Sequence, residues 1–262
     1  RNVSLEEGRR IALSEYINNY AAMGLDPEKT NVYFQSMRPV VQRLGFTLGQ
    51  KTNISEFEAI YGFSGETNLA HVQAPLVQAG DIVHPQLDEY GGLRPIVVPV
   101  GVDQDPHIRL TRGLVNKTNW FNVKSRKSGG LTIALSIKEE NKTLMGVSNN
   151  GGVNRDVRNQ LFDKLKSSLS KLGFADILPN PKHGTIEIPG ATILDKSKIQ
   201  LSLLSLERKI GGMGLMPPCS TYHRFVVGMN GDKMSSSKPE TTIFMHDSID
   251  EMSKKVKRAF SG

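Results

Sequence analysis

The stretch Gly231-Asp232-Lys233-Met234-Ser235-Ser236-Ser237-Lys238-Pro239 decides how the rest of the chain is read. It places a lysine and three small hydroxyl residues in one flexible polar run closed by a proline. Such a run suits a mobile loop that holds a polyphosphate. The Lys233 ammonium meets phosphate oxygens, serine hydroxyls and backbone amides wrap further oxygens, and nothing bulky blocks closure. A solvated Ser/Lys loop has the same composition, so the order Lys-Met-Ser-Ser-Ser carries the distinction.

Outward from this loop, the bulk properties narrow the class of protein. Cys219 is the single cysteine among 262 residues, so no disulfide forms within the chain and a reducing, cytoplasmic setting is expected. The histidines at 71, 84, 107, 183, 223 and 246 lie at no metal-ligand spacing, so no structural metal is expected. No apolar run reaches the roughly 18 residues of a bilayer span, and the N-terminus lacks a signal-peptide core, so no membrane partner is expected. The net charge of +7 is concentrated. Residues 113–210 hold 16 Lys and Arg against 8 Asp and Glu, and the remainder is nearly neutral. An anionic partner for that segment follows.

Helix and strand signals alternate along the chain. Ser4 with Glu7 is a capping-box start, and the periodicity runs to Gly24; Asn31 to Phe34 reads as a short strand. A helix from Met37 to Leu44 is ended by Gly45 and Gly49, another starts after Asn53, and a third covers Leu69 to Gly80. Pro95 to Gly101 is the apolar run of a strand buried on both faces. The turn Val102-Asp103-Gln104-Asp105-Pro106-His107 follows that strand, with Asp105 as N-cap and Pro106 at the first helical position. Ligands in open α/β sheets bind at such strand ends, although a capped turn without a ligand reads the same way. The basic segment shows strands at Leu131 to Ile137 and Thr185 to Ile188. It also shows helices through Val153 to Leu172 and Ile199 to Ile210. The fold class is α/β, a parallel sheet flanked by helices, with a small α+β unit inserted.

With loop and strand-end turn in hand, the chain resembles the tryptophanyl-tRNA synthetases of the archaeal and eukaryotic type, within the class I aminoacyl-tRNA synthetases. Gln78-Ala79-Gly80-Asp81-Ile82 is similar to that family's Gln-Ala helix. Val102 to Pro106, continued by Arg109, Leu110, Thr111 and Arg112, is similar to its Asp-Gln-Asp-Pro signature. Ser220-Thr221-Tyr222-His223-Arg224-Phe225 and the loop from Lys233 to Pro239 match in order and spacing. The resemblance implies a Rossmann-like catalytic domain in two parts, 1–112 and 211–262, around a basic insertion at 113–210. The second part would carry the loop and the start of a C-terminal helical region.

The resemblance also implies an activity: ATP and Mg²⁺ activate tryptophan to its adenylate, and a homodimer transfers it to tRNA(Trp). Lys233, Ser235 and Ser236 would act in catalysis, and Met234 and Ser237 would line the ATP site with them. Asp103 would bind the adenylate ribose, Gln104 the amino or carboxylate end of the substrate, and Gln78 the tryptophan site. The family's paired-histidine signature is absent from these residues, and Ala259-Phe260-Ser261-Gly262 resembles the entry to the anticodon-binding domain. The resemblance therefore places residue 1 after the histidine turn.

A tyrosyl-tRNA synthetase is the nearest alternative, opposed by Asp105-Pro106 after the glutamine. A synthetase-derived, non-catalytic nucleic-acid-binding protein and another nucleotidyl-transferring α/β enzyme also stand open. In the insertion, Lys124, Arg126 and Lys127 beside Trp120 and Phe121 form the tRNA-binding candidate. The two rings either stack on an unpaired base or anchor the insertion in its core.

Overall fold

The computed structural model describes residues 4–136, 155–224, 226–232, 234 and 238–259, with backbone alone at 155–158. The chain divides into two compact units. One comprises Arg1–Pro39, Pro99–Gln104 and Thr221–Gly262, and the other comprises Val40–Val98 and Asp105–Ser220.

The first unit opens with helix α1 (Leu5–Ile11), a π-helical turn at Ala12–Tyr16 and helix α2 (Ile17–Ala22). Ser4 caps α1 by accepting from the Glu7 amide at 3.1 Å, one half of the expected capping box, while the Glu7 carboxylate accepts from Arg10. Residues 31–34, expected as a strand, are not one. No described strand pairs with them, and Tyr33 instead lies under the Arg38 guanidinium, 3.5 Å from its ring centre. The unit ends in α9 (Ile249–Lys257), whose Ser248 and Glu251 form a reciprocal capping box.

The second unit contains two apolar cores. One lies among α3 (Pro39–Gly49), α4 (Ile54–Tyr61), α5 (Leu69–Val83) and α6 (Asp105–Thr118), with Val41, Leu48, Val83 and Val115 fully buried. Gly45, expected to stop a helix, sits inside α3. A β-carbon there would lie 2.7 Å from the Leu76 carbonyl oxygen, and one on Gly80 would strike the Val41 carbonyl. The pair lets α3 and α5 approach backbone to backbone; here glycine works for packing rather than as a breaker.

The other core belongs to a four-stranded antiparallel sheet of order β2-β3-β5-β4: β2 (Phe121–Ser125), β3 (Leu131–Leu135), β4 (Leu178–Asn180) and β5 (Thr185–Ile188). Register pairs Val123 with Ile133 and Ile133 with Ile186, so their side chains share one face. Helices α7 (Arg155–Lys171) and α8 (Lys196–Lys209) cover it with Leu165, Leu169, Ile199 and Leu203, all fully buried. Each such side chain stabilises the fold by about 1.5 to 3 kcal/mol. Ile137 and Val153, which the sequence assigned to a strand and a helix here, lie outside the described residues.

A further pair, β1 (Val97–Gly101) and β6 (Cys219–His223), makes a two-stranded sheet. Its strands come from distant parts of the sequence, and the Cys219 amide donates to the Ile96 carbonyl at 2.8 Å. Burial of β1 on both faces is not met: among the described residues it pairs with β6 alone, and Val97 is 59% exposed.

Between α8 and β6 the residues from Gly212 to Pro218 belong to no helix or strand, with Gly214 turned to φ +51°, and side chains satisfy the backbone instead. Asn119 donates to the Leu215 carbonyl at 2.7 Å and accepts from its amide at 3.0 Å. Gln86 does the same for Met216, at 2.9 and 2.8 Å. Arg208 donates to the carbonyls of Met213, Gly214 and Gln86, and Arg112 donates to the Pro218 carbonyl and to Ser220 Oγ.

Glu207 is fully buried and accepts from the Gly214 amide at 3.1 Å and the Trp120 amide at 2.9 Å. Burial pushes its carboxyl up to about 7, outweighing the backbone donors that pull the other way. The folded value exceeds the ordinary one, so this contribution to stability is complete below about pH 4 and lost as pH rises through about 7. The span corresponds to about 3 kcal/mol. Urea unfolding between pH 5 and 8 is expected to show this decline in the wild type and to lose it in Glu207→Gln. Superimposable pH profiles for the two proteins would contradict the assignment.

Candidate active site

The strand-end turn takes shape from Gly101 onward. After β1 the chain enters a 3₁₀ turn at Val102–Gln104 that leads into α6. A β-carbon on Gly101 would lie 2.6 Å from an Asp103 carboxylate oxygen and 3.4 Å from the His223 ring. Glycine is thus required for the carboxylate to fold back over the strand end, with His223 of β6 beside it. Gln104 donates a long bond, 3.4 Å, to the other Asp103 oxygen. Asp103 is exposed and Gln104 half-buried.

Immediately downstream, Asp105 pairs with Arg109 one turn on, at 2.6 Å. His107 Nδ1 meets Tyr61 Oη at 2.9 Å, with the two rings stacked. Burial raises the Tyr61 phenol to about 12, so it stays protonated beside the imidazole. Sequence reading missed this contact, since Tyr61 and His107 lie in different helices with no local pattern linking them. It also missed the reach of Arg112, which carries the Asp-Gln-Asp-Pro run to Ser220 at the start of the second matching run.

The loop residues Lys233, Ser235, Ser236 and Ser237 lie outside the described residues. Their supports are described. The Met234 amide donates to the Val226 carbonyl at 2.9 Å, Gly228 to Asp232 at 2.7 Å, and Met229 to Thr241 at 2.9 Å. The Lys238 carbonyl accepts from the Thr241 amide at 3.0 Å and its hydroxyl at 2.8 Å. Thr241 and Thr242 are buried. Below them Lys255 donates to the Thr242 carbonyl at 2.9 Å and to Asp247 at 2.6 Å, with its ammonium 4.9 Å from the Phe244 ring centre. A rigid base therefore brackets the serine run on both sides.

Asp103, Gln104, His223 and this base all belong to the first compact unit, whereas Gln78, half-buried on α5, belongs to the second. In the basic segment Lys124 and Lys127 are exposed, and Arg126 is tied to Glu187 at 3.0 Å. Trp120 and Phe121 are buried in the sheet core at 4% and 0% exposure. Of the two readings of these rings, the core anchor holds and stacking on a base does not. Among the described residues no helix is long and apolar enough to cross a membrane.

Residues 3–171 and 195–262 match the family described as tRNA synthetases class I (W and Y). The chain belongs to that family, and its fold class is that of the class I synthetases. Among curated relatives, the tryptophan–tRNA ligase of Methanosarcina acetivorans is 40% identical over 265 residues, covering 100% of this chain and 55% of that protein. That of Archaeoglobus fulgidus is 39% identical over 262 residues, covering 100% and 54%. The crystal structure of tryptophanyl-tRNA synthetase from Aeropyrum pernix aligns with a TM-score of 0.58 at 32% identity, over 100% of this chain and 46% of that one. The chain spans about half the length of the curated relatives it matches.

The support beneath the loop is testable through Asp247. Hydrogen bonding from Lys255 holds its carboxyl below the ordinary carboxylate range, so the anchor is present above about pH 4 and lost as pH falls through the depressed value. Lys255→Met is expected to speed hydrogen exchange of the Met229 amide about tenfold at neutral pH, and Asp247→Asn to abolish its acid dependence. Exchange unchanged in both variants would show that the base does not hold the flanks of the loop.

Proposed function

We propose that the whole protein to which this chain belongs is a tryptophan–tRNA ligase, which activates tryptophan with ATP and transfers it to tRNA(Trp). One observation carries this reading: the Asp103-Gln104 turn, His223 and the base of the Lys-Met-Ser-Ser-Ser loop all fall in one compact unit. Family membership and the tryptophan–tRNA ligase names of the curated relatives support it.

In the proposed reaction the tryptophan carboxylate attacks the α-phosphorus of ATP, the bond to the β-phosphate oxygen breaks, and pyrophosphate leaves. No covalent enzyme intermediate forms, so the protein contributes position and charge. Asp103 accepts from ribose hydroxyls, with its carboxylate fixed by the turn over Gly101. Gln104 and Gln78 present amides to the amino acid. Lys233 neutralises charge on the departing pyrophosphate, and Ser235, Ser236, Ser237 and the Met234 backbone close over the phosphates.

Among the described residues no three His, Cys, Asp or Glu side chains cluster as a metal cage. Mg²⁺ would come to the site on the ATP phosphates, where it would supply charge neutralisation. The proposal includes a homodimer in the cytoplasm, a reducing setting in which the exposed Cys219 thiol stays free.

Tryptophan-dependent ATP–pyrophosphate exchange by the full-length protein tests the reading. Exchange with tyrosine or with no amino acid in its place would refute it. Lys233→Ala is expected to slow the exchange by roughly 10² to 10³ while tryptophan affinity stays nearly unchanged. A normal rate in that variant would remove Lys233 from the catalytic step.

A further inference from the structure

The antiparallel sheet and its two helices carry the basic surplus of the chain, yet the sheet surface spends part of it internally. Arg126, just after β2, is paired with Glu187 of β5. The helical surface is different. Where α7 and α8 run side by side, an open groove of about 540 Å³ is lined by Lys164, Ser167, Ser168 and Lys171 from one helix and by Ser202 and Lys209 from the other. Asp163, at one end, is the single acid lining it. Lys164, Lys171 and Lys209 are exposed, and none has an ion-pair or hydrogen-bond partner among the described residues.

The local sequence explains the shape. Leu161, Leu165 and Leu169 turn to the sheet, as do Ile199 and Leu203. That leaves Ser168 and Ser202 at the helix contact, where their hydroxyls bond at 2.8 Å. Two small residues at the crossing form a low polar floor between taller lysine walls. Lys164 and Lys171 stand seven residues apart, two turns or about 10.5 Å along α7, so the charges form a line and do not converge on one point. A line of cations over hydroxyls fits a linear polyanion better than a single phosphate.

We infer that this α7–α8 groove is a docking surface for the phosphodiester backbone of RNA. Lysine and serine are depleted from the cores of protein–protein interfaces, where aromatic residues, Met and Arg are enriched. The same two residues are regular donors to nucleic-acid phosphates. The groove has no aromatic lining residue for stacking on a base, so it positions the RNA without reading its sequence. The inference rests on the reading of the whole protein as a tRNA ligase, and it moves the RNA contact of the segment from the Lys124 cluster to the opposite, helical surface.

The test compares two charge-matched variants of the full-length protein, one with Lys164→Glu and Lys209→Glu, the other with Lys166→Glu and Lys182→Glu outside the groove. Binding of a tRNA(Trp) transcript is titrated over a range of KCl concentrations. The groove variant is expected to lose about tenfold or more in affinity at about 100 mM salt, with the slope of log affinity against log salt reduced by about two. The control pair is expected to keep the wild-type slope. Equal slopes in the two variants, or a control loss matching the groove loss, would overturn the inference. Tryptophan-dependent pyrophosphate exchange retained in both variants shows that each is folded. A wild type without that exchange refutes the ligase reading; a wild type that exchanges, paired with an unchanged groove slope, refutes the groove alone.

Discussion

The second compact unit depends on how the chain gets from α8 to β6. A segment with no helix or ladder of its own would leave a row of backbone donors and acceptors unmet. In a buried setting each costs about 1 to 3 kcal/mol. Asn119 and Gln86 remove that cost by acting as substitute strands: each closes a reciprocal pair of hydrogen bonds on one residue, Leu215 or Met216. Arg208, Arg112 and Glu207 take the groups on either side. These five side chains come from the end of α5, from α6 and from α8, so one network ties the helical core, the inserted sheet and the origin of β6.

That network also explains how the antiparallel unit is joined to the chain on either side of it. Glu207 accepts from the Trp120 amide, just before β2, and from Gly214 in the return segment, one bond to each carboxylate oxygen. Arg112 then bonds to Ser220, so the helix after the Asp-Gln turn also sets where β6 begins. His223, four residues into that strand, is the ring beside Asp103.

What the sequence made legible was periodic or local. The capping at Ser4 and Asn53, β5 and the helices of the insertion depend on neighbours a few residues away, and they appear where spacing placed them. The glycine at 45 misled because a breaker and a packing contact look the same until Leu76 is beside it. Strand β4, three residues long and containing Pro179, and the short β2 carried too little alternation to be seen. In the site, the Asp103-Gln104 turn was readable because it follows an apolar run. The polar partners Gln86, Asn119 and Glu207 were not, since each bonds a backbone group and a backbone group leaves no signature in the sequence.

Hydrogen exchange at the Leu215 and Met216 amides tests this account most directly. In the full-length protein both amides should exchange at or near the global unfolding limit, although neither lies in a helix or a strand. Asn119→Ala should release Leu215 and Gln86→Ala should release Met216. Exchange at open-loop rates in the wild type, or protection unaltered by either substitution, would contradict the claim that these side chains hold the unit together.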